Sequence, residues 1–573
     1  MTGKELMELG DRLFTKKFPI TALQQEIADN FYPERADFTL TRSSGTDFAA
    51  QLMTSYPILC RRDLADQFAT MLRPTARPWF HFGLRHDDSK EFDLDTKKYL
   101  EWFEKVERRA MYDKLAQFTR ATKLADNDYA AFGNAIISVE MNHRKQCLLY
   151  RTWHVRDMAW AENEDGEIGV VFRKWKPTAQ QLMRTFGDKN DPRVARMNEK
   201  EPFEEVEVYH MIVDGDMYDK NGLGTRKRWS IYYDRTHDHV IEDVPIHGRH
   251  YIIPRWQAGA ATVVGGIQYG YSPCVVAALP DARLLQAITY TLMEATEKAA
   301  APPYLAVENV IKSDLSLYAN GVTWVDAEYD ERTGEALRPM EQDFRGMQHG
   351  IQMGVDTRTM IHKAFYLDAL TLPQRSPEMT AYEVGQRVQE YIRAALPLFE
   401  PMEADYNGQL CDETYEILWR NGAMGDPRNW PKKLRPGYGG PGIDFTFESP
   451  LHDMIEQQKG DLLQRGGALI AGALSLDPTA SAVPKADIAL REALSGIGWP
   501  AGWMRSQSEQ EAQVKKVQQQ QEAAQKLANM NVASQAAKNI GQSGLVGGAG
   551  GGGPGPSAPG GGGGPAVPPG TPG

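Results

Sequence analysis

Two stretches of this chain place apolar residues at three- and four-residue spacing and flank an interval that does not. Residues 277–300 carry Leu285, Ile288, Leu292, Ala295 and Ala299 on one face, with Arg283, Gln286, Glu294 and Lys298 elsewhere. Residues 343–367 set Ile351, Val355 and Ile361 against Gln348, Gln352, Asp356 and Lys363. This period predicts two amphipathic helices. Ala301-Pro302-Pro303 ends the first, and the interval after it holds two short strand candidates, 304–307 and 322–325. A helix out, a small module at the tip and a helix back predict a rod with a head. Such a rod cannot bury its own flanks and needs copies of itself alongside, which points to a ring-forming structural protein.

Elsewhere the pattern changes period. A helix is expected to about Asn30, and a polar turn over Arg42-Ser43-Ser44-Gly45-Thr46-Asp47. A helix through 63–72 follows, stopping before Pro74 and Pro78 because the residue ahead of a proline avoids helical geometry. Residues 93–131 read as one long helix through Leu100, Phe103, Val106, Ala110, Tyr112, Leu115 and Phe118. From about 132 to 275 the period falls to two: Ile168, Val170 and Phe172 alternate with Glu167, Gly169 and Val171. Asp165-Gly166 separates this run from 155–160, a short-range hairpin signal. Thr178 and Gln181 have capping-box spacing and Gly187 supplies a stop. Strands at 204–213, 228–234 and 239–242 complete a mixed α+β body.

Past residue 377, Thr380 and Glu383 form a second capping box ahead of Val384, Val388, Ile392 and Ala395. Pro397 and Pro401 must kink or break that helix, and Asn421-Gly422 should end it. A Pro/Gly-rich loop over 427–442 leads to a strand at 443–447 and helices at 451–475 and 485–495. Residues 506–540 form a polar helix with a thin stripe (Val514, Val517, Ala524, Leu527) that needs neighbours to be stable. The tail from 547 to 573, almost wholly Gly, Pro, Ala and Ser, has too little apolar surface to offset its ordering entropy, so disorder is expected there.

Composition narrows the function more than the fold. Of 573 residues, 42% are hydrophobic and 24% charged, ordinary for a soluble globular protein, and the net charge of −12 argues against a broad basic face that grips nucleic acid. Cys60, Cys147, Cys274 and Cys411 lie far apart with no CxxC pair, which favours isolated thiols in a reducing cytosol over a disulfide framework or zinc site. No signal-type or membrane-spanning apolar run stands out, so synthesis in a cytoplasm and no membrane association are expected. No phosphate-binding loop, His-Glu-x-x-His or Gly-x-Ser-x-Gly is present. The glycine-rich run Val264-Gly265-Gly266-Ile267-Gln268-Tyr269-Gly270 lacks dinucleotide spacing and reads as a flexible loop. His237, His239, His247 and His250 are interleaved with Asp and Arg, and read as solvated histidines of a surface hairpin rather than metal ligands. No catalytic, cofactor-binding or metal-binding residue is assigned, and no cofactor is expected.

Several stretches stand in a fixed order along the chain. They are Leu64-Ala65-Asp66-Gln67-Phe68-Ala69-Thr70-Met71-Leu72 with Arg77-Pro78-Trp79-Phe80, then Phe132-Gly133-Asn134-Ala135, Trp160-Ala161-Glu162-Asn163-Glu164-Asp165-Gly166-Glu167 and the run from 170 to 187. Pro254-Arg255-Trp256 with Tyr269-Gly270-Tyr271-Ser272-Pro273, Met379-Thr380-Ala381-Tyr382-Glu383-Val384 and Phe447-Glu448-Ser449-Pro450-Leu451 follow. Together, over about 40 to 460, they resemble the portal (head-to-tail connector) proteins of short-tailed, podovirus-type double-stranded DNA bacteriophages; the polar helix and the Gly/Pro tail lie outside the resemblance.

The resemblance implies an elongated α+β subunit with wing, two-helix stem, small α/β clip and helical crown, assembling into a ring. It allots 1–276 and 378–450 to the wing, 277–300 and 343–367 to the stem, 301–342 to the clip, 368–377 to a tunnel loop (Leu370, Thr371, Leu372, Pro373, Gln374) and 451–540 to the crown, with 541–573 as the tail. It also implies a dodecamer at one capsid vertex of the virion, made in the host bacterial cytoplasm. Double-stranded DNA would be packaged and ejected through it, and the ring would contact capsid protein, terminase and then tail adaptor proteins. A conduit must hold its cargo weakly, because every neutralised phosphate adds affinity and friction. Lys298, Arg345, Arg358, Lys363 and Arg375 are the candidate channel cations, the alternative being ion pairs with a neighbouring subunit. The stem stripes Leu285, Ile288, Leu292, Ile351 and Val355 fit burial between subunits, the alternative being ordinary packing inside one monomer. The other functional classes are a minor virion adaptor or scaffold without a channel, and a hydrolase whose site leaves no motif.

Overall fold

The computed structural model describes residues 1–75 apart from 44, 46 and 48, then 78–84, 94–256 apart from 143, 269–306, 337–340, 345–370, 397–435 apart from 432 and 433, 443–447 and 507–543, with isolated positions 311, 324, 326, 466, 467, 490, 494 and 503. The chain divides into two compact units, Met1–Ala501 and Gly502–Gly573.

In the first unit an antiparallel five-stranded sheet runs β4 (Met158–Glu162), β5 (Ile168–Trp175), β6 (Val208–Asp214), β7 (Arg228–Asp234) and β8 (His239–Ile246). Its two faces are sorted by the period-two pattern. The cross-strand row Phe172, Met211 and Ile231 is fully buried, and helix α1 (Gly3–Phe31) lies over that face: a Cβ at Gly10 would collide with the Phe172 ring at 2.8 Å. The next row, Arg173, His210 and Tyr232, points the other way. Toward that side Ala179 and Leu182 of α5 (Ala179–Phe186) and Val194 of α6 (Pro192–Lys200) form a small second core with Val208 and Ile241. The β4–β5 hairpin turns at Gly166 with φ +77, and α5 opens on the Thr178–Gln181 capping box, as the residue types require.

A three-stranded sheet, β3 (Leu148–Thr152), β2 (Ile137–Met141) and β9 (Tyr251–Ile252), packs with α2 (Tyr56–Leu72), α3 (Leu94–Met111) and α4 (Phe118–Phe132) in the main core. The long helix expected over 93–131 is therefore two helices. The Asp113 carboxylate accepts the Leu115 N–H at 2.8 Å, a local turn that competes with helix, and Gln117 takes φ +57. The break leaves Leu115 63% exposed and lets Phe118 meet Tyr150 edge-on at 5.0 Å. The strand expected at 443–447 forms as β12 (Ile443–Phe447) and pairs antiparallel with β1 (Phe80–Leu84), so two stretches on opposite sides of the chain's midpoint clasp each other. Pro397 and Pro401 are carried in a helical run over 397–402 that relaxes into a π turn, Glu403–Gly408, before α10 (Gln409–Arg420); Asn421 caps it and Gly422 leaves with φ +76.

The histidine reading needs correction. His237 is nearly buried, with Nδ1 2.7 Å from Asp234. His250 sits at φ +64 and packs edge-on against fully buried His210, centroids 4.9 Å apart. All four histidines are partly, not fully, accessible to solvent. The loop bends inward because the Glu413 carboxylate accepts the N–H groups of Arg249 and His250. Among the described residues no three His, Cys, Asp or Glu side chains gather at metal-binding distance, and no helix is long and apolar enough to cross a membrane.

In the second unit the polar segment is a single helix, α11 (Gln507–Ser543), with Val514, Val517, Leu527 and Met530 exposed. The capping box at Thr380 and the tail lie outside the described residues, as do nearly all of the helices expected at 451–475 and 485–495.

Candidate functional site

Three of the sequence stretches singled out above meet at one backbone junction. The Trp256 N–H donates to Gly133 O (2.8 Å) and the Tyr271 N–H to Trp256 O (3.0 Å). The Asn134 side chain bridges both ways, accepting from the Gly270 N–H at 2.8 Å and donating to Gly270 O at 3.1 Å. A Cβ on Gly270 would lie 2.4 Å from Gly133 O and from Trp256 N, so this glycine is required by close backbone approach. Phe68 of α2 lies 5.4 Å from the Trp256 ring. From the junction the chain enters a π turn, Cys274–Ala278, and then helix α7 (Leu279–Ala300).

Helix α7 returns as α8 (Arg345–Ala364), and the two form an antiparallel hairpin. Its seam is a knob-and-notch contact: Leu292 faces Gly350, where an added Cβ would lie 3.1 Å from Leu292 Cδ2, and Ile288 faces Gly354. The two glycines four apart, Gly350 and Gly354, were the sequence signal for this seam. Leu285 is fully buried, and Leu292 and Ile288 meet Gly350 and Gly354, so all three pack within the chain. At its far end α7 leads to strand β10 (Tyr304–Ala306), which pairs with β11 (Leu337–Pro339); of the strand expected at 322–325 only Trp324 is described. At its base the hairpin is pinned to the body. The Gln286 side-chain oxygen accepts the N–H groups of Met53 (2.7 Å) and Thr54 (3.1 Å), Arg283 pairs with Glu26, and Phe365 packs on Phe31 at 5.7 Å. Helix α8 ends at Ala364, three residues before the expected boundary, and Tyr366, at φ +57, turns the chain into the short helix α9 (Leu367–Leu370).

With the seam assigned, the remaining faces can be read from the helical period. Ile351 and Val355 project to one flank of α8, Met353 and Met360 to the other, and all four are about half exposed. On α7, Tyr290 and Met293 extend the first flank and Leu284 the second. Gln348, Gln352, Asp356 and Lys363 form the polar edge between them. The hairpin is thus apolar on two opposite sides and polar along its outer edge. The sequence reading caught Ile351 and Val355 but missed Tyr290, Met293, Met353 and Met360, which stand out only once the seam is known.

The candidate channel cations occupy different settings. Lys298 pairs with Glu294 one turn earlier at 2.8 Å, and that hydrogen bond, then the charge, raises its pKa. Arg358 reaches back toward the body, its guanidinium 6.0 Å from the Tyr56 ring centroid. Arg345 stands at the start of α8. Lys363 is exposed on the polar edge, with no carboxylate partner among the described residues. Arg375 lies outside the described residues, with Thr371, Leu372, Pro373 and Gln374; Leu370 is described and buried.

Residues 3–504 match the family model described as bacteriophage head to tail connecting protein. The probable portal protein of Bordetella phage BPP-1 is 23% identical over 455 residues, which is 78% of this chain and 78% of that protein. Among solved structures, a chain in the virion of a native gene transfer agent particle aligns with a TM-score of 0.34 at 11% identity, over 77% of this chain and 95% of its own. A chain in the neck of an empty gene transfer agent particle gives 0.33 and 12%, with the same coverage.

Proposed function

The chain belongs to the bacteriophage head-to-tail connecting proteins, and on that premise we propose that it is a portal subunit whose copies close into a ring around a DNA channel. The observation that carries this is the hairpin with two unlike apolar flanks. A flank of Ile351 and Val355 exposed beside Met353 and Met360 on the opposite side cannot be covered by one partner. Copies set side by side, one flank against the other, form a heterologous contact that closes into a ring. The polar edge, with Lys363, then faces the axis.

In this reading residues 1–276 and 378–450 are the wing against the capsid shell, α7 and α8 are the stem, and 301–342 are the clip that meets terminase and later tail adaptor proteins. Residues 368–377 are the tunnel loop, and 451–540 the crown, where α11 gains the neighbours its exposed stripe lacks. The ring stands at one capsid vertex, with twelve copies as in the family resemblance. The chain's net charge of −12 keeps the duplex from adhering, leaving only sparse cations to touch phosphates.

Native mass spectrometry with negative-stain microscopy tests the reading: a perforated ring is expected, and a stable monomer defeats it. Ile351→Asp with Val355→Asp, or Met353→Asp with Met360→Asp, should each leave monomers. Mixing these two variants should yield pairs and nothing larger, because each pair retains one intact contact. Rings from either variant alone would reject the flank assignment. Charge reversal at Lys363 should alter DNA retention while leaving the ring intact.

A further inference from the structure

A groove of about 400 Å³ on the first unit plays no part in the hairpin. Tyr99 and Trp102, one turn apart on α3, line it with Met424, Gly425 and Trp430; the Trp102 ring lies over Gly425, where an added Cβ would sit 3.4 Å from it, and Lys98, Asp426 and Asn429 complete the lining. The aromatic rings are held by packing: Tyr99 and Trp102 meet edge-on at 6.4 Å, and Phe103 beneath them meets Trp430 at 4.9 Å. Trp430 is 2% exposed and spends its indole N–H on Met424 O at 3.1 Å, whereas Trp102 is 41% exposed and its indole N–H has no partner among the described residues. The Tyr99 hydroxyl donates to Asn429 O at 3.1 Å, which fixes the ring and leaves its face open. Rigid aromatic walls with a free indole donor suit an extended proline-rich strand, whose carbonyls are unused by internal hydrogen bonds.

The chain carries a sequence of that kind. Pro565-Ala566-Val567-Pro568-Pro569 has the P-x-x-P spacing, which at three residues per turn would set Pro565 and Pro568 on one edge once bound as a polyproline II helix. Residues 544–573 contain no Asp, Glu, Lys or Arg, so their recognition must rest on stacking and carbonyl hydrogen bonds, which this groove offers, rather than on ion pairs. We propose that the Tyr99–Trp102–Trp430 groove binds residues 565–569 of a second copy of this chain, tying neighbouring subunits together through their tails. That the strand comes from a second copy rests on the side-by-side assembly proposed above; that the groove recognises it does not.

The receiver for the test is the full-length chain carrying Pro565→Ala, Pro568→Ala and Pro569→Ala, so that its own tail does not compete. A fluorescein-labelled peptide of residues 560–573 should bind it saturably by anisotropy. Trp102→Ala in the receiver, or alanine at Pro565 and Pro568 in the peptide, should each weaken binding at least about tenfold, as loss of an aromatic anchor does. Unchanged affinity in the Trp102→Ala receiver, or no binding at all, overturns the groove assignment, and neither outcome bears on whether native mass shows a ring. For the source of the strand, a Trp102→Ala chain with a photo-crosslinker at position 567 is mixed with the receiver. Crosslinks between the two chains are expected. Their absence, with crosslinks confined to single chains when the groove is intact, overturns assignment to a second copy.

Discussion

Gly350→Ala and Gly354→Ala change the same seam one turn apart, yet they should act differently. Replacing a helical glycine by alanine recovers about 0.8–1.0 kcal/mol of helix propensity. At 354 the new Cβ would lie 3.8 Å from Ile288 Cγ2, an ordinary contact, so Gly354→Ala should stabilise the hairpin by nearly the whole amount. At 350 it would lie 3.1 Å from Leu292 Cδ2, so the half-buried leucine must move a few tenths of an ångström. Overpacking a seam costs roughly 1–3 kcal/mol, and one methyl belongs at the low end, about 1 kcal/mol. Gain and loss then cancel, and Gly350→Ala should be neutral within about 0.5 kcal/mol. Gly350→Leu, which drives a branched chain into the seam, should lose about 2 kcal/mol or more. Amide hydrogen exchange along α7 and α8 of the full chain reports these differences locally, since about 1 kcal/mol corresponds to a fivefold change in opening equilibrium. Equal slowing for the two alanine variants, or no slowing at 354, would refute the knob-and-notch account.

Two further predictions concern protons. Glu107 on α3 is fully buried with both carboxylate oxygens unpartnered, and burial, then the charge of Asp412, lifts its pKa well above the usual carboxylate range. The folded chain keeps this proton while the unfolded chain releases it above about pH 4.3, so the group erodes stability as pH rises, by about 1.4 kcal/mol per unit until the folded carboxyl ionises. Glu107→Leu should therefore raise stability at pH 7.5 by about 1–3 kcal/mol, seen as a higher urea midpoint, and flatten the pH dependence; a lower midpoint there rejects the assignment. His210 and His250 run the opposite way. Burial lowers both, His250 to about 3, so they are neutral in the fold, and stability is lost as pH falls below their unfolded value of about 6.5. His250→Asn, which tolerates the positive φ, should lose about 1.4 kcal/mol less per pH unit between pH 6 and pH 4.5 than the parent chain, and an unchanged acid limb in tryptophan-monitored unfolding would contradict it.

What could be read from the sequence was local. The Thr178–Gln181 cap, the Asp165-Gly166 turn and the Asn421-Gly422 stop depend on a few neighbouring residues, and each formed as its chemistry requires. The two hairpin helices were legible for the same reason. Which face of each helix turned inward was not, because Leu285 and Ile351 are equally apolar and only the position of the body distinguishes them. The glycine spacing at 350 and 354 held that information. The interruption after Met111 turned on one side chain, Asp113, inside an otherwise continuous helical pattern. His237 and His250 looked solvated because the buried partners that claim them, Asp234 and His210, are recognised only after the strands are aligned. The pairing of Phe80–Leu84 with Ile443–Phe447 had no local signal at all.

That last pairing sets a timetable for biosynthesis. Phe80 and Phe82 leave the ribosome roughly 360 residues ahead of their strand partner, a wait on the order of 20 to 70 s at about 5–20 residues per second. Until then the nascent polypeptide carries an aromatic edge with unsatisfied backbone groups, the kind of segment that invites aggregation. The clasp closes only when nearly the whole first unit has emerged, so the tertiary structure of that unit is completed late in synthesis and not strand by strand as the chain grows.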